Sequence, residues 1–257
     1  MRAYAQLALA GFRRYSTYRQ AMFAGLAANV MFGMLRTAVM IAAVGAAPIA
    51  GYDVPAAVAY VWLGQGLVAF VQLWNDSRLA ERIRSGDVVV DLYRPWHLQA
   101  ALFAEDVGRA GFCVFVRLAP PILIGALVFP FHWPEPGTWP LFAISAVLAL
   151  VVSFGLRFLV NATAFWLLDS RGVTTIYMVS TNVFCLSVPL AFFPDWAQDL
   201  LWATPFPTVI QAPIDVYLNH GPQWTVLAHQ AFWAVAVSVA GHLVLRRAVR
   251  KLVVQGG

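Results

Sequence analysis

Charge is scarce in this chain. Asp, Glu, Lys and Arg make up 11% of its 257 residues, where a soluble globular chain carries about 25%. Hydrophobic residues make up 61% and the mean hydropathy is +0.70, which excludes an ordinary soluble domain and indicates an integral membrane protein. Period-two alternation is missing too. The apolar runs are continuous and long enough to cross about 30 Å of hydrocarbon as helices, so a barrel is not expected. There are two cysteines, Cys113 and Cys185, both inside apolar runs, which leaves no disulfide framework and no zinc spacing. The single lysine, Lys251, is followed by Leu252, so the chain has no P-loop and cannot bind ATP in that way. HExxH and GxSxG are absent, and His97, His132, His220, His229 and His242 are scattered without ligand spacing. No metal or cofactor is expected on the chain, and no catalytic group.

What is present reads as one all-α transmembrane domain over residues 1–257 with six spans. Residues 1–20 carry Arg2, Arg13, Arg14 and Arg19, with Tyr4, Tyr15 and Tyr18 on one face; they read as an interfacial helix at the cytoplasmic headgroups. Residues 3–12 are mildly apolar but offer no cleaved-signal pattern, because Arg13, Arg14 and Arg19 follow at once, on the wrong side. The spans are expected near 21–44, 55–74, 108–129, 140–168, 173–193 and 225–245. Pro120 and Pro121 should kink or break the third. Residues 131–139 form an outer loop whose tryptophans suit the interface. The stretch 194–213, with Pro194, Trp196, Pro205 and Phe206, is too amphipathic for a span and reads as short re-entrant helices; 214–224 reads as a loop.

Orientation follows from the basic residues. The segments assigned to the inside hold the arginines of 1–20, Arg78, Arg82, Arg84, Arg94, Arg171, Arg246, Arg247, Arg250 and Lys251. Those assigned outside hold only acids: Asp53, Glu135, Asp195, Asp199 and Asp215. Both termini are therefore expected in the cytoplasm. The formal charge of +5 is spread by topology, so no nucleic-acid partner is implied.

The longest charged interval outside the spans is 75–96, NDSRLAERIRSGDVVVDLYRPW. Ser77 to Arg84 can form a short helix with Asp76 or Ser77 as its cap. Gly86 can end it, and Arg94-Pro95 should force an extended exit. Glu105 and Asp106 read as solvated residues at a helix entry.

Two passages carry a resemblance. ERIRSGDVVVDLYRPWHLQ at 81–99 is similar to an I-x-x-G … D-x-L-x-R-P-x signature. SVPLAFFPDWAQDLLWATPFPTVIQAPIDVYL at 187–218 is similar to P-L-x-x-F-P-x-W … L-P-F … P, with Thr204 in place of the usual leucine. Together the chain resembles the permease subunits of bacterial type 2 ATP-binding-cassette exporters, in the subgroup of this chain's size encoded as paired permeases. The resemblance implies a plasma-membrane permease paired with a second copy or a relative, and two cytoplasmic ATPases that bind the ATP and magnesium. It implies that residues 75–96 are the coupling segment, with Arg78, Glu81, Arg82, Arg84, Ser85, Gly86, Asp87, Asp91, Arg94 and Pro95 as contacts. Asp87, Asp91 and Arg94 are expected at the rim of that contact. The expected cargo is an amphiphilic drug, natural product or lipid.

Arg36, Arg117 and Arg157 lie within expected spans, where an arginine costs roughly 2.5–3.5 kcal/mol on insertion scales. No acid is expected at mid-membrane to pair with them. Arg36 and Arg157 therefore face a polar cavity, a dimer interface or anionic lipid, or else bond to carbonyls between helices; Arg117 is near enough to the inner boundary to snorkel. Asn161, Tyr177, Thr181 and Asn182 are further candidates for a translocation path, or for polar contacts between helices. Two alternatives stay open: an ion-coupled secondary transporter, and a structural partner permease with no substrate path of its own.

Overall fold

A computed structural model describes residues 2–17, 19–74, 76–167, 169–186 and 188–255. Tyr18 lies outside them. Twelve α-helices are present among the described residues: α1 Arg2–Thr17, α2 Arg19–Val44, α3 Val54–Phe70, α4 Arg78–Ser85, α5 Val88–Leu92, α6 Leu98–Cys113, α7 Ala119–Val128, α8 Thr138–Ala162, α9 Arg171–Leu186, α10 Asp195–Trp202, α11 Gln211–Leu218 and α12 Gln223–Gln255. No strand occurs among these residues. Among the described residues, four stretches are long and apolar enough to cross a membrane: Met22–Val44, Leu98–Val128, Thr138–Phe165 and Gln223–Arg250. Val54–Phe70 is a shorter apolar helix.

Helix α3 is the centre of the packing. Nearly every residue from Ala56 to Val68 is buried, as its all-round hydrophobicity demands. Its Trp62 sits between helices that approach closely: a Cβ on Gly125 of α7 would lie 2.3 Å from Trp62 Cγ, and one on Gly33 of α2 would lie 3.0 Å from Trp62 Cζ3. The helix starts where Asp53 Oδ1 accepts from Ala56 N at 2.9 Å, with Pro55 in the first turn.

The third span begins ten residues earlier than the sequence suggested, at Leu98 instead of 108. A π-helical turn over Val114–Leu118 precedes the prolines. It resets the hydrogen-bond ladder, so Pro120 and Pro121 fall in the first turn of α7, where a missing N–H leaves no acceptor stranded. The fifth helix ends at Leu186, before Pro189, and not at 193. The expected loop from 214 is instead the second half of α11, whose residues are all buried; its apolar Ile214, Val216, Tyr217 and Leu218 fill the space beside α3 and α8.

Helix α1 is fastened along α6. A Cβ on Gly108 would lie 1.8 Å from Ala8 O, and one on Gly11 would lie 2.2 Å from Glu105 O, so the two backbones touch. Phe12 and Phe112 meet edge to face at 5.4 Å. Tyr4 Oη accepts from His97 N at 3.2 Å.

Candidate functional site

The charged interval folds as two short helices over the start of α6, the end of α8 and the C-terminal half of α12. Asp76 Oδ1 accepts from Arg78 N at 3.1 Å and Oδ2 from Arg78 Nε at 2.6 Å. Burial works to raise the Asp76 pKa, but the hydrogen bonds and charge of Arg78 outweigh it and hold the carboxyl below its usual value. Asp76 thus satisfies one first-turn donor of α4, while Ser77 makes no cap and bonds Glu81 instead. A second donor, Ala80 N, is taken by Asn161 Oδ1 of α8 at 3.2 Å. Gly86 closes the helix in the left-handed conformation, φ 84°.

Leu79 and Val88 turn inward, into a cluster with Leu98, Phe154, Phe158, Ala162 and Leu245. The segment is therefore seated on three spans at once. Asp91 is buried and paired with Arg82, so it braces α4 against α5 and is not at an outer rim. The exposed side carries Arg78, Glu81, Arg84, Ser85, Gly86, Asp87, Arg94 and Pro95. Three apolar side chains stand among them, Val89, Val90 at 58% and Tyr93 at 87% exposure. The expected extended exit is a tight turn: Trp96 N donates to Arg94 O at 2.8 Å across Pro95, and the Arg94 guanidinium lies 5.1 Å from the Trp96 ring centre.

Directly behind this segment lies a charge cluster. Asp106 Oδ1 accepts from Arg109 Nε at 2.6 Å, and Oδ2 accepts from Arg157 Nη2 at 2.7 Å. All three residues are buried. The expectation of no acid for Arg157 is overturned because α6 starts at Leu98. Asp106 is then eight residues inside one helix, and Arg157 is eight residues before Phe165 on the other; both lie ~12 Å from their ends. Asp106 is a buried counter-ion and not a solvated entry residue.

The cluster grips the end of α3. Arg109 donates to Ala69 O and Phe70 O, each at 2.7 Å. Ser153 Oγ donates to Val71 O at 2.7 Å, and Tyr177 Oη to Leu73 O at 3.1 Å. These are carbonyls that a helix end leaves without partners. Their partial negative charge also offsets the second arginine of a cluster holding one acid and two bases. The chain reverses here through Gln72 at φ 52°, a left-handed position that favours glycine. Asn161 Nδ2 donates to Arg157 O at 2.8 Å. A continuous polar chain thus runs from α4 through Asn161 and Arg157 to Asp106, Arg109 and the end of α3.

Residues 29–256 match the family described as ABC-2 family transporter protein. The chain belongs to this family. No curated protein matches it. As an ABC-2 permease subunit of a type 2 ATP-binding-cassette transporter it is a multi-pass membrane component and not the ATPase, and it associates with an ATP-binding-cassette ATPase.

The other candidates of this permease fall apart in space. Tyr177 is committed to Leu73, and Thr181 Oγ1 bonds Tyr177 O at 2.9 Å within its own helix. Asn182 is exposed and bonds Met178 O at 2.8 Å. Arg117 lies against α2, where a Cβ on Gly25 would sit 2.1 Å from its Nη1, and its Nε is buried without a hydrogen bond. Arg36 lines a separate cavity. Pro194 precedes α10, Trp196 is exposed, and Phe206 O accepts from Cys185 Sγ at 3.2 Å just after Pro205. Sequence reasoning missed Arg109 and Asp106. Their i,i+3 spacing on a helix was the available signal. It also missed the pairing of His97 Nε2 with His242 Nδ1 at 3.0 Å.

Proposed function

We propose that this permease is half of an ATP-driven exporter, and that residues 76–96 dock on the ATPase and pass its motion to the spans. The observation that carries this reading is the seating of α4. Its N-terminus is held by Asn161 and its apolar face by the inner ends of α6, α8 and α12, so a push on its exposed side moves three spans and the end of α3 together. A solvated loop needs no such anchorage. Asp87, Tyr93 and Arg94, with Val90 between them, supply a mixed apolar and charged contact face of the kind protein interfaces use. The full reading has six spans, with α3 and α9 as the short ones, both termini in the cytoplasm, and a second permease against the exposed apolar faces of α2 and α9. The ATPases carry the ATP and magnesium, and an amphiphilic compound moves outward in a bacterial plasma membrane.

Affinity purification in gentle detergent, with mass spectrometry of the co-purifying chains and an ATP hydrolysis assay, tests it. An ATPase and a permease of similar size are expected to co-purify. Asp87→Ala with Tyr93→Ala and Arg94→Ala should remove the ATPase while leaving the permease folded. A wild-type complex that never contains an ATPase, or a triple variant that retains it fully, overturns the docking role.

A further inference from the structure

We propose that the cavity walled by α1, α4, α6 and α8 binds a phosphodiester that carries a primary ammonium group, the chemistry of an ethanolamine lipid headgroup. This goes beyond the transport reading above and does not depend on it. The cavity holds about 510 Å³, and a water occupies about 30 Å³, so a headgroup of this kind fits with water beside it. Part of the wall is apolar, from Leu79, Leu102, Phe154 and Phe158. Exposed apolar side chains on α1 and α6, Leu9, Phe12 and Val107, offer acyl chains a surface outside it. Arg13 and Arg14 on α1 are exposed as well, and basic residues on an interfacial helix draw it to phosphate headgroups.

The charges in the wall select the class of ligand. Five arginines and five carboxylates line the cavity, so it suits a group that carries both signs. Asp106 with Arg109 and Arg157, and Asp76 with Arg78, are ion pairs of the fold. Arg14, Glu81, Asp87 and Glu105 add charge of both signs around them. Three elements bring these groups close together. Burial works to lower the Arg78 pKa, but Asp76 beside it, Tyr15 of α1 and Glu105 of α6 hold it above its usual value. Arg78 turns Nε and Nη2 to Asp76, and a guanidinium carries more N–H donors than one carboxylate uses, so it can hold a phosphate oxygen in addition. Arg14 supplies a second guanidinium from the α1 side. Glu105, half-buried in the same wall, accepts from the ammonium. An ethanolamine head carries its opposite charges a few bonds apart, and each makes charge-assisted hydrogen bonds here. A choline head has no N–H to donate and a glycerol head has no cation, so each meets only part of the wall.

Purified permease, with whatever subunits co-purify, is titrated in detergent with phosphatidylethanolamine, phosphatidylcholine and phosphatidylglycerol of the same acyl chains, and bound lipid is counted by native mass spectrometry. Phosphatidylethanolamine should bind at least about tenfold tighter than either of the others, the worth of one charge-assisted hydrogen bond. Glu105→Gln keeps the size of the side chain and removes its charge. It should erase the preference over phosphatidylcholine and leave phosphatidylcholine binding unchanged. Arg14→Gln, at an exposed position, should weaken all three lipids together by roughly threefold. Equal binding of the three lipids to the wild type overturns the proposal, as does tighter binding of phosphatidylglycerol, the mark of a plain anion site. A preference that survives Glu105→Gln overturns it too. If Glu105→Gln does not assemble, Arg14→Gln decides: lipid binding identical to the wild type overturns the proposal. Glycerophosphoethanolamine, the same head without acyl chains, separates two sources of this chemistry. Competition at concentrations near those of the lipid identifies a soluble ester as occupant, and competition only far above them identifies the lipid.

Discussion

Two arginines at similar depth along their helices, the buried Arg157 and the half-buried Arg36, sit in different surroundings. Arg157 has Asp106, the Val71 carbonyl and a neighbouring Arg109 that caps α3. Its charge is consumed by the fold, and it ties α3, α6 and α8 together behind the charged segment. Arg36 lines an open-sided cavity whose other described wall residues are uncharged. What separates the two is packing: Arg157 lies in a buried network between helices, and Arg36 at the half-buried edge of one.

The largest expected effect tests the brace. Asp106→Ala leaves two buried guanidinium groups without their carboxylate and should destabilise the permease by about 3–5 kcal/mol, read as a lower unfolding midpoint and reduced abundance in the membrane. Arg36→Gln should change stability far less, by no more than about 1 kcal/mol. Equal losses in the two variants would erase the contrast between a buried brace and a half-buried side chain. Asn161→Ala should fall between them, at about 1–3 kcal/mol, because it strands the buried Ala80 N–H. It should also lower ATP hydrolysis by the assembled complex, since α4 loses its tie to α8. Hydrolysis that stays at the wild-type level would show that the brace and the coupling path are separate.

The smallest effect concerns the His97–His242 contact at the inner edge of the same region. Burial, and then the neighbouring His242, lower the His97 pKa from 6.5. The folded state therefore favours the neutral ring. Its contribution is complete above about pH 6.5 and is lost as the pH falls toward the lowered value. Amide exchange at the start of α6 should quicken modestly on acidification, and His242→Gln should reduce the pH dependence without abolishing it, since burial remains. An unchanged dependence in that variant would place its origin elsewhere.

The charged interval at 75–96 was visible as a docking candidate because charge is so rare elsewhere, and Gly86 was legible as a helix stop. Asp91 was misassigned because its alternation with Asp87 does not reveal which side faces inward; only the packing of Val88 against Phe154 and Phe158 sets that. The Val88–Leu92 helix was hidden by a run of β-branched valines, whose helix propensity is low. Asp106 was misjudged because a polar residue near a helix start is placed by counting from the boundary, and boundaries are the part of a pattern least fixed by composition. The buried α11 was read as a loop because eight residues are too few for periodicity to speak.

By itself the sequence determined that the chain is helical and lies in a membrane, that its basic residues gather in particular segments between the apolar runs, and that it carries no P-loop. Those properties depend on composition and on order along the chain, which folding does not alter. Tertiary structure alone decided which charges cancel. Asp106 and Arg157 are 51 residues apart, and no local spacing relates them. They meet because two helices start and end at the same depth, where leaving either charge unpaired would cost several kcal/mol. The same packing left Arg36 half-buried at the wall of a cavity.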